Sequence, residues 1–341
     1  MTRHGNHYQT HKNQIKIALQ FPQQPASIRA FVNNGLVNNL KNIKKWAASN
    51  QGYTTTLTLP LQRGSNEIRI EAKSKQGILS DEPPLIVNLK SRHPDKQGTL
   101  YLVAIGVSQY QHSAADLRFA AIDAHDIHQL LTQQQGKRYA KVESRLLTDQ
   151  ATIAPTAANI KQALKLFKQA TPDDTVVLFL SGHGVSSHRR DYYFLPQDAK
   201  QATDSDSDWH PNTVVKWEEI QQVIENTTAK QRVLLVDTCY SGGAFNPRLI
   251  KDASDNSIIV FSATDAETVG QELPELGHGI FTYALLKGLQ GKADMVGDDK
   301  VVTLKELDTY LDFSIQELSD GTQIPKSNAQ IGVVNFGFVK L

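Results

Sequence analysis

Two short runs, Thr175–Gly184 (TVVLFLSGHG) and Arg232–Gly243 (RVLLVDTCYSGG), stay almost wholly apolar until they stop at small or polar residues. Such uninterrupted character leaves no polar face for solvent. Each run therefore predicts a strand covered on both sides, as in a parallel sheet flanked by helices. The surrounding chain fits. TLYLVAIGV, from Thr99, reads as a further buried strand, and LRFAAIDAHDIHQLLTQQ as a helix with Phe119, Ile122, Ile127, Leu130 and Leu131 on its inner face. KVESRLLTD reads as a strand, and Ala157–Ala170 as a helix that turns Ile160, Leu164 and Phe167 inward. Helix WEEIQQVIEN, strand SIIVFSAT and helices around IFTYALLKGL and LKELDTYLDFSIQEL complete the pattern. Strands alternating with helices imply right-handed crossovers and a mainly parallel α/β sheet with helices on both faces.

The first part of the chain has a different period. Between Ile15 and Leu89, IKIAL, SIRAFVN, YTTTLTLPL, NEIRIEAK and LIVNL alternate apolar and polar residues, separated by turn signals such as Asn33-Asn34-Gly35 and Pro83-Pro84. This predicts a small all-β sandwich of immunoglobulin-like kind over residues 15–90, without its disulfide. Residues 1–14 are polar and read as a flexible tail. The charged, Pro- and Gly-punctuated residues 91–98 read as a linker into a second domain over residues 99–341.

Charge is nearly balanced, at +1 for 341 residues, so composition offers no reason to expect nucleic acid or a membrane surface as partner. No run reaches transmembrane length, and the first residues lack an apolar leader segment. The single cysteine cannot form an internal disulfide, which fits a reducing compartment. A cytoplasmic protein is the expectation.

That one cysteine, Cys239, follows VLLVD and precedes Ser241-Gly242-Gly243, where the strand should turn sharply. A lone cysteine is more often a small buried hydrophobe than a nucleophile. A thiol becomes a useful nucleophile when a partner draws off its proton, because the thiolate is the reactive form. His183 ends the other apolar run between two glycines, which is no ordinary core position. If the two strands are neighbours, thiol and imidazole meet at their carboxyl ends, where open α/β sheets gather their chemistry. Local features alone leave catalysis and inert packing evenly matched.

Ser181-Gly182-His183-Gly184 together with Asp237-Thr238-Cys239-Tyr240-Ser241-Gly242 resembles the paired signature of the caspase-like cysteine peptidases, in their metacaspase and bacterial caspase-homologue branch. Further matches extend over Thr99–Leu341, among them LYLVAIGVSQY with LRFAAIDAHDI, and Gly279-Ile280-Phe281-Thr282 with ALLKGLQGKAD and TLKEL. The resemblance implies a caspase-like fold and amide hydrolysis through a thioester, with Cys239 as nucleophile and His183 as proton carrier. It also implies an oxyanion site made by the backbone N–H groups of Cys239 and Gly184.

Specificity follows from charge. Asp237 lies two residues before Cys239, on the same side of an extended strand. Asp123 falls four residues from both Phe119 and Ile127, on the inner face of its helix, where an unpaired carboxylate is costly unless it has a role. With Ser181 these positions match the metacaspase S1 residues, so protein or peptide substrates with Arg or Lys at P1 are expected. Against this stands the plainer reading that Asp123 caps or ion-pairs within the fold. No cofactor is required by this chemistry. Asp204, Asp206 and Asp208 are weak candidate ligands for an activating Ca²⁺, against the commoner reading of a solvated acidic loop. Arg189 and Arg190 are candidate self-cleavage positions. The sandwich is a candidate site for a regulatory partner. The competing functions are a non-catalytic binding or scaffold protein of the same fold, and another Cys-His protease type of the clan, gingipain-like or CHAT.

Overall fold

The computed structural model describes residues 2–4, 7–10, 12, 14–32, 35–36, 47–49, 52–61, 64–74, 83–89, 98–111, 113–186, 192–201, 209–229, 231–238, 258–264, 270–295, 299–329 and 335–341. The chain divides into two compact units, one over Met1–Lys96 and the other carrying Gln97–Gln330 and Asn335–Leu341.

The first unit contains two sheets. One holds, in spatial order, β1 (Thr2–His4), β2 (His7–Thr10), β9 (Leu85–Leu89), β8 (Gly64–Lys73), β4 (Ser27–Val32) and β5 (Gly35–Leu36). The other holds β3 (Gln14–Phe21), β7 (Gly52–Pro60) and β6 (Ala47–Ser49). Alternation along the strands places Ile15, Leu57 and Leu59 of the smaller sheet in one apolar cluster with Ile28, Ala30, Val32, Ile68 and Val87 of the larger. The flexible tail expected over residues 1–14 is corrected. Thr2–His4 and His7–Thr10 are strands, and β2 runs parallel to β9 from His7↔Ile86 to Thr10↔Leu89. Their polarity misled because strands at and next to a sheet edge can draw their order from backbone hydrogen bonds rather than from burial.

The second unit is built on a six-stranded sheet in the order β11 (Lys141–Thr148), β10 (Thr99–Gly106), β12 (Thr175–Gly182), β16 (Gln231–Thr238), β17 (Ile258–Ser262) and β21 (Lys326–Ser327). All pairs are parallel except the last, β17 with β21. Every residue of β12 is buried, as a strand with both faces covered must be. Period 2 divides those residues between two layers. Val176, Leu178 and Leu180 of β12 and Leu234 and Val236 of β16 join Ile160 and Leu164 of α2 (Ala157–Leu164) and Ile220 and Ile224 of α3 (Trp217–Glu225) in one cluster. The alternate residues, ending in Ser181 and Asp237, face away from that cluster.

On their side lies α1 (Ala120–Thr132), whose buried stripe is Ala120, Ala121, Asp123, Ala124, Ile127 and Leu131. Ile122, expected inward, is 40% exposed. The residues that meet the sheet are small, so the stripe is rotated toward Asp123 and Ala124 and leaves Ile122 outside. After the sheet's fifth strand come a hairpin of β18 (Glu272–Leu273) and β19 (His278–Gly279), then α4 (Ile280–Lys287) and α5 (Leu304–Leu318). Beside the carboxyl ends of β12 and β16, β13 (Gly184–Ser186), β14 (Tyr192–Phe194) and β15 (Val215–Lys216) make a small antiparallel sheet. Among the described residues, no helix is long and apolar enough to cross a membrane.

Candidate active site

The two apolar runs are hydrogen-bonded neighbours. Their register runs from Thr175↔Gln231 to Ser181↔Asp237 and Gly182↔Thr238. His183 and Cys239 are the next residue of each chain beyond that last pair. Cys239 itself lies outside the described residues, as do Asp204, Asp206, Asp208, Arg189 and Arg190.

His183 is held from three directions. Its Nε2–H donates to the carbonyl oxygen of Ala115 at 2.7 Å, its backbone N–H donates to the Tyr110 hydroxyl at 2.9 Å, and its carbonyl accepts from the N–H of Leu195 at 3.0 Å. The Tyr110 ring stacks against the imidazole, with centroids 4.9 Å apart and planes tilted by 43°. Because a carbonyl can only accept, Nε2 carries the proton and a neutral imidazole keeps its lone pair on Nδ1. That is the nitrogen left to take a proton from a thiol. Gly182 makes the geometry accessible. Its φ is +151°, outside the range of L side chains, and an added Cβ would stand 3.0 Å from the Tyr110 hydroxyl and 3.2 Å from the Phe194 ring. Gly182→Ala is therefore expected to destabilise the unit by about 1–3 kcal/mol, measured by denaturant titration.

The carboxylates gather where the opposite layer begins. Asp123 is only 1% exposed. Its Oδ1 accepts from His278 Nδ1 at 2.8 Å, and its Oδ2 accepts from the N–H of Gly279 at 3.3 Å and from Ser181 Oγ at 3.4 Å. Asp237 Oδ2 accepts from Thr282 Oγ1 at 2.6 Å and from its N–H at 3.2 Å. Thr282 is in the first turn of α4, where unsatisfied N–H groups and the helix dipole favour an anion. The two carboxylates converge on Gly279, where an added Cβ would lie 2.9 Å from Asp237 Oδ2 and 3.3 Å from Asp123 Oδ2. A side chain at 279 would fill the space between them. Burial above all, then the Asp123 charge, pushes the Asp237 carboxyl up to about 7. Burial likewise raises Asp123 to about 6 against the opposing pull of His278, whose imidazole is raised chiefly by its hydrogen bond to Asp123. Glu272 accepts from the N–H groups of Arg118 at 3.0 Å and Phe119 at 2.9 Å, the two residues that lead into α1.

The structure thus brings Ser181, His183, Asp123 and Asp237 to one end of the sheet. On the plainer reading of Asp123, it does find a hydrogen-bond partner within the fold, in His278. Gly184 begins β13 opposite Phe194. Several contributors had no place in the sequence reading. The Ala115 carbonyl is a backbone atom and leaves no sequence mark. Tyr110 and Tyr192, whose hydroxyl is hydrogen-bonded to Thr238 Oγ1, are distant in sequence from what they touch. His278 did carry a signal, since Gly277-His278-Gly279 repeats the Gly-His-Gly of Gly182-His183-Gly184. Among the described residues, no group of His, Cys, Asp and Glu is arranged to hold a metal ion.

The family model described as Peptidase C14, caspase domain, matches residues 100–332. Metacaspase-7 of Arabidopsis thaliana is 26% identical over 148 residues, which is 41% of this chain and 34% of that protein. The match thus spans about a third of the curated relative's length. Caspase-1 from Spodoptera frugiperda superposes with a TM-score of 0.46 at 12% identity, covering 72% of this chain and 91% of the other. The Drosophila initiator caspase Dronc gives a TM-score of 0.40 at 12% identity, over 72% and 85%.

Proposed function

The chain belongs to the Peptidase C14 caspase-domain family, a family of cysteine peptidases, and on that footing we propose that Cys239 and His183 hydrolyse peptide bonds on the carboxyl side of Arg or Lys. The observation that carries this reading is the register Ser181↔Asp237, Gly182↔Thr238, since His183, with its Nε2 already engaged, is the residue after one of these paired strands and the only cysteine is the residue after the other. His183 Nδ1 takes the thiol proton and the thiolate adds to the scissile carbonyl. The tetrahedral oxyanion is met by the N–H groups of Cys239 and Gly184. Collapse expels the amine, which leaves with the proton from His183. Water then adds to the thioester, with His183 again as base, and releases the carboxylic acid and the thiol.

The P1 side chain is read by Asp123 and Asp237. A buried carboxylate, Asp123, beside a half-buried one, Asp237, with one histidine leaves negative charge, which a guanidinium or ammonium neutralises and an aspartate would worsen. A cytoplasmic location, a regulatory partner for residues 15–90, activation by Ca²⁺ through Asp204, Asp206 and Asp208, and a role in regulated cell death or defence belong to the same proposal.

The test is a peptide panel with Arg, Lys or Asp at P1, run with and without Ca²⁺ on the full chain and on Cys239→Ala. Arg and Lys peptides are expected to exceed the Asp peptide in kcat/KM by about 100-fold or more, in line with the energy of a buried charge contact. Faster turnover of the Asp peptide would overturn the assigned specificity. No turnover of any peptide by the wild type under either condition would favour the non-catalytic binding protein.

A further inference from the structure

His278 is 155 residues from Asp123 in the chain but touches it in the fold, and nothing in the hydrolytic chemistry above uses it. Its side chain is only 16% exposed, with Nδ1 on Asp123 Oδ1 at 2.8 Å and Nε2 3.5 Å from Asp126 Oδ2. Both nitrogens thus face carboxylates, an arrangement that suits the doubly protonated ring. The surroundings are strongly acidic. Asp123 and Asp126 act on it from α1 and Asp237 from β16, Leu273 stands opposite it on the partner strand of its hairpin, and Tyr283 and Lys287 of α4 line with it a groove of about 400 Å³. His278 holds the oxygen of Asp123 that the pocket does not use. The other, Oδ2, is the one that converges with Asp237 Oδ2 over Gly279.

We propose that His278 is a positioning residue for P1 recognition, clamping Asp123 by Oδ1 and supplying the positive charge that keeps this carboxylate ionised beside Asp237. The inference rests on the reading of Asp123 and Asp237 as the pocket for a basic side chain. Two adjacent buried carboxyl groups without a counter-ion share a proton near neutrality, as like charges at short range must. Without His278 the pair would hold its proton to higher pH, and the pocket would present less negative charge at neutrality than it does with the imidazolium in place. Because the imidazolium lies on the Oδ1 side, the carboxylate stands between it and the incoming cation, so it supports binding more than it competes.

The experiment measures kcat and KM for an Arg-P1 peptide between pH 5.5 and 9 on the full chain and on His278→Ala and His278→Asn. Asparagine keeps a donor near the Nδ1 position and loses the charge. His278→Ala is expected to raise KM about tenfold at pH 7 with kcat at saturation unchanged. His278→Asn is expected to raise it less, and to move the pH at which KM reaches its lower plateau upward by about one unit, the shift equivalent to a tenfold change in ionisation. An unchanged KM and pH profile in His278→Asn would overturn the role of His278 while leaving the P1 reading intact. So would a fall in kcat and Tm together with no displacement of the profile, since that outcome assigns His278 to the β18–β19 hairpin alone. A wild type that does not prefer Arg over Asp would remove the pocket itself, and the inference with it.

Discussion

Replacing Cys239 by alanine is expected to lower kcat for basic-P1 peptides by at least about 10³-fold, and His183→Ala to do the same, because each deletes a participant in a single concerted unit. The informative comparison is the double variant. If thiol and imidazole act together, Cys239→Ala/His183→Ala loses no more than either single change, as non-additivity requires of a catalytic pair. The histidine is already pinned, since Nε2 is committed to Ala115, the ring stacks on Tyr110, and the backbone is held at both N–H and C=O. Single-turnover kinetics on folded variants, with Tm measured alongside, provides the check. Activity within tenfold of wild type in Cys239→Ala would point to another nucleophile and remove the proposed mechanism.

Asp237→Asn should move activity and stability in opposite directions. Asp237 binds its proton more tightly in the folded chain than in an unfolded one, its carboxyl rising from 3.8 to about 7 through burial and the neighbouring Asp123. A carboxyl raised on folding favours the native state while protonated. That contribution is fully present below about pH 4 and is lost as pH climbs toward 7. Asp123, raised to about 6, has the same sign. His278, raised by its bond to Asp123, adds stability below its unfolded value and loses it as pH rises through the folded one. All three make the wild type less stable at pH 8 than at pH 5. Asparagine can still accept from Thr282 N–H and Oγ1 through its carbonyl, and it has no charge to desolvate. The variant should therefore match wild type near pH 5 and melt higher at pH 8, with about 2–4 °C gained per kcal/mol. Its KM for Arg peptides should rise at least tenfold. Equal melting curves at both pH values would mean that Asp237 is not the strained carboxylate described, and an unchanged KM would take it out of P1 recognition.

The reach of the sequence differs from one element to the next. Thr175–Gly182 was readable as a strand buried on both faces because its middle, Val176 to Leu180, is wholly apolar, and all of its residues are buried. Asp123 was readable as inward from its spacing to Phe119 and Ile127. Helical periodicity did not reveal that Ile122 would be turned out, since an apolar residue next to a small-residue stripe fits either side until the sheet is in place. The strands within residues 1–14 were missed for a related reason. Thr2–His4 pairs with His7–Thr10, and that strand pairs with β9, more than seventy residues away, so their order comes from backbone pairing rather than from any pattern of their own.

Local pattern alone therefore determined the alternation of strands and helices and the inward carboxylate at position 123, because each depends on residue type and short-range periodicity. Tertiary structure decided what these groups meet. It set β12 beside β16 in register, chose Ala115 O as the partner of His183, placed Asp237 at the first turn of α4 and brought His278 onto Asp123. Hydrogen bonds to backbone atoms and contacts across long stretches of chain depend on distance in space, and a linear sequence does not carry that distance until packing has closed the sheet between its two layers of helices.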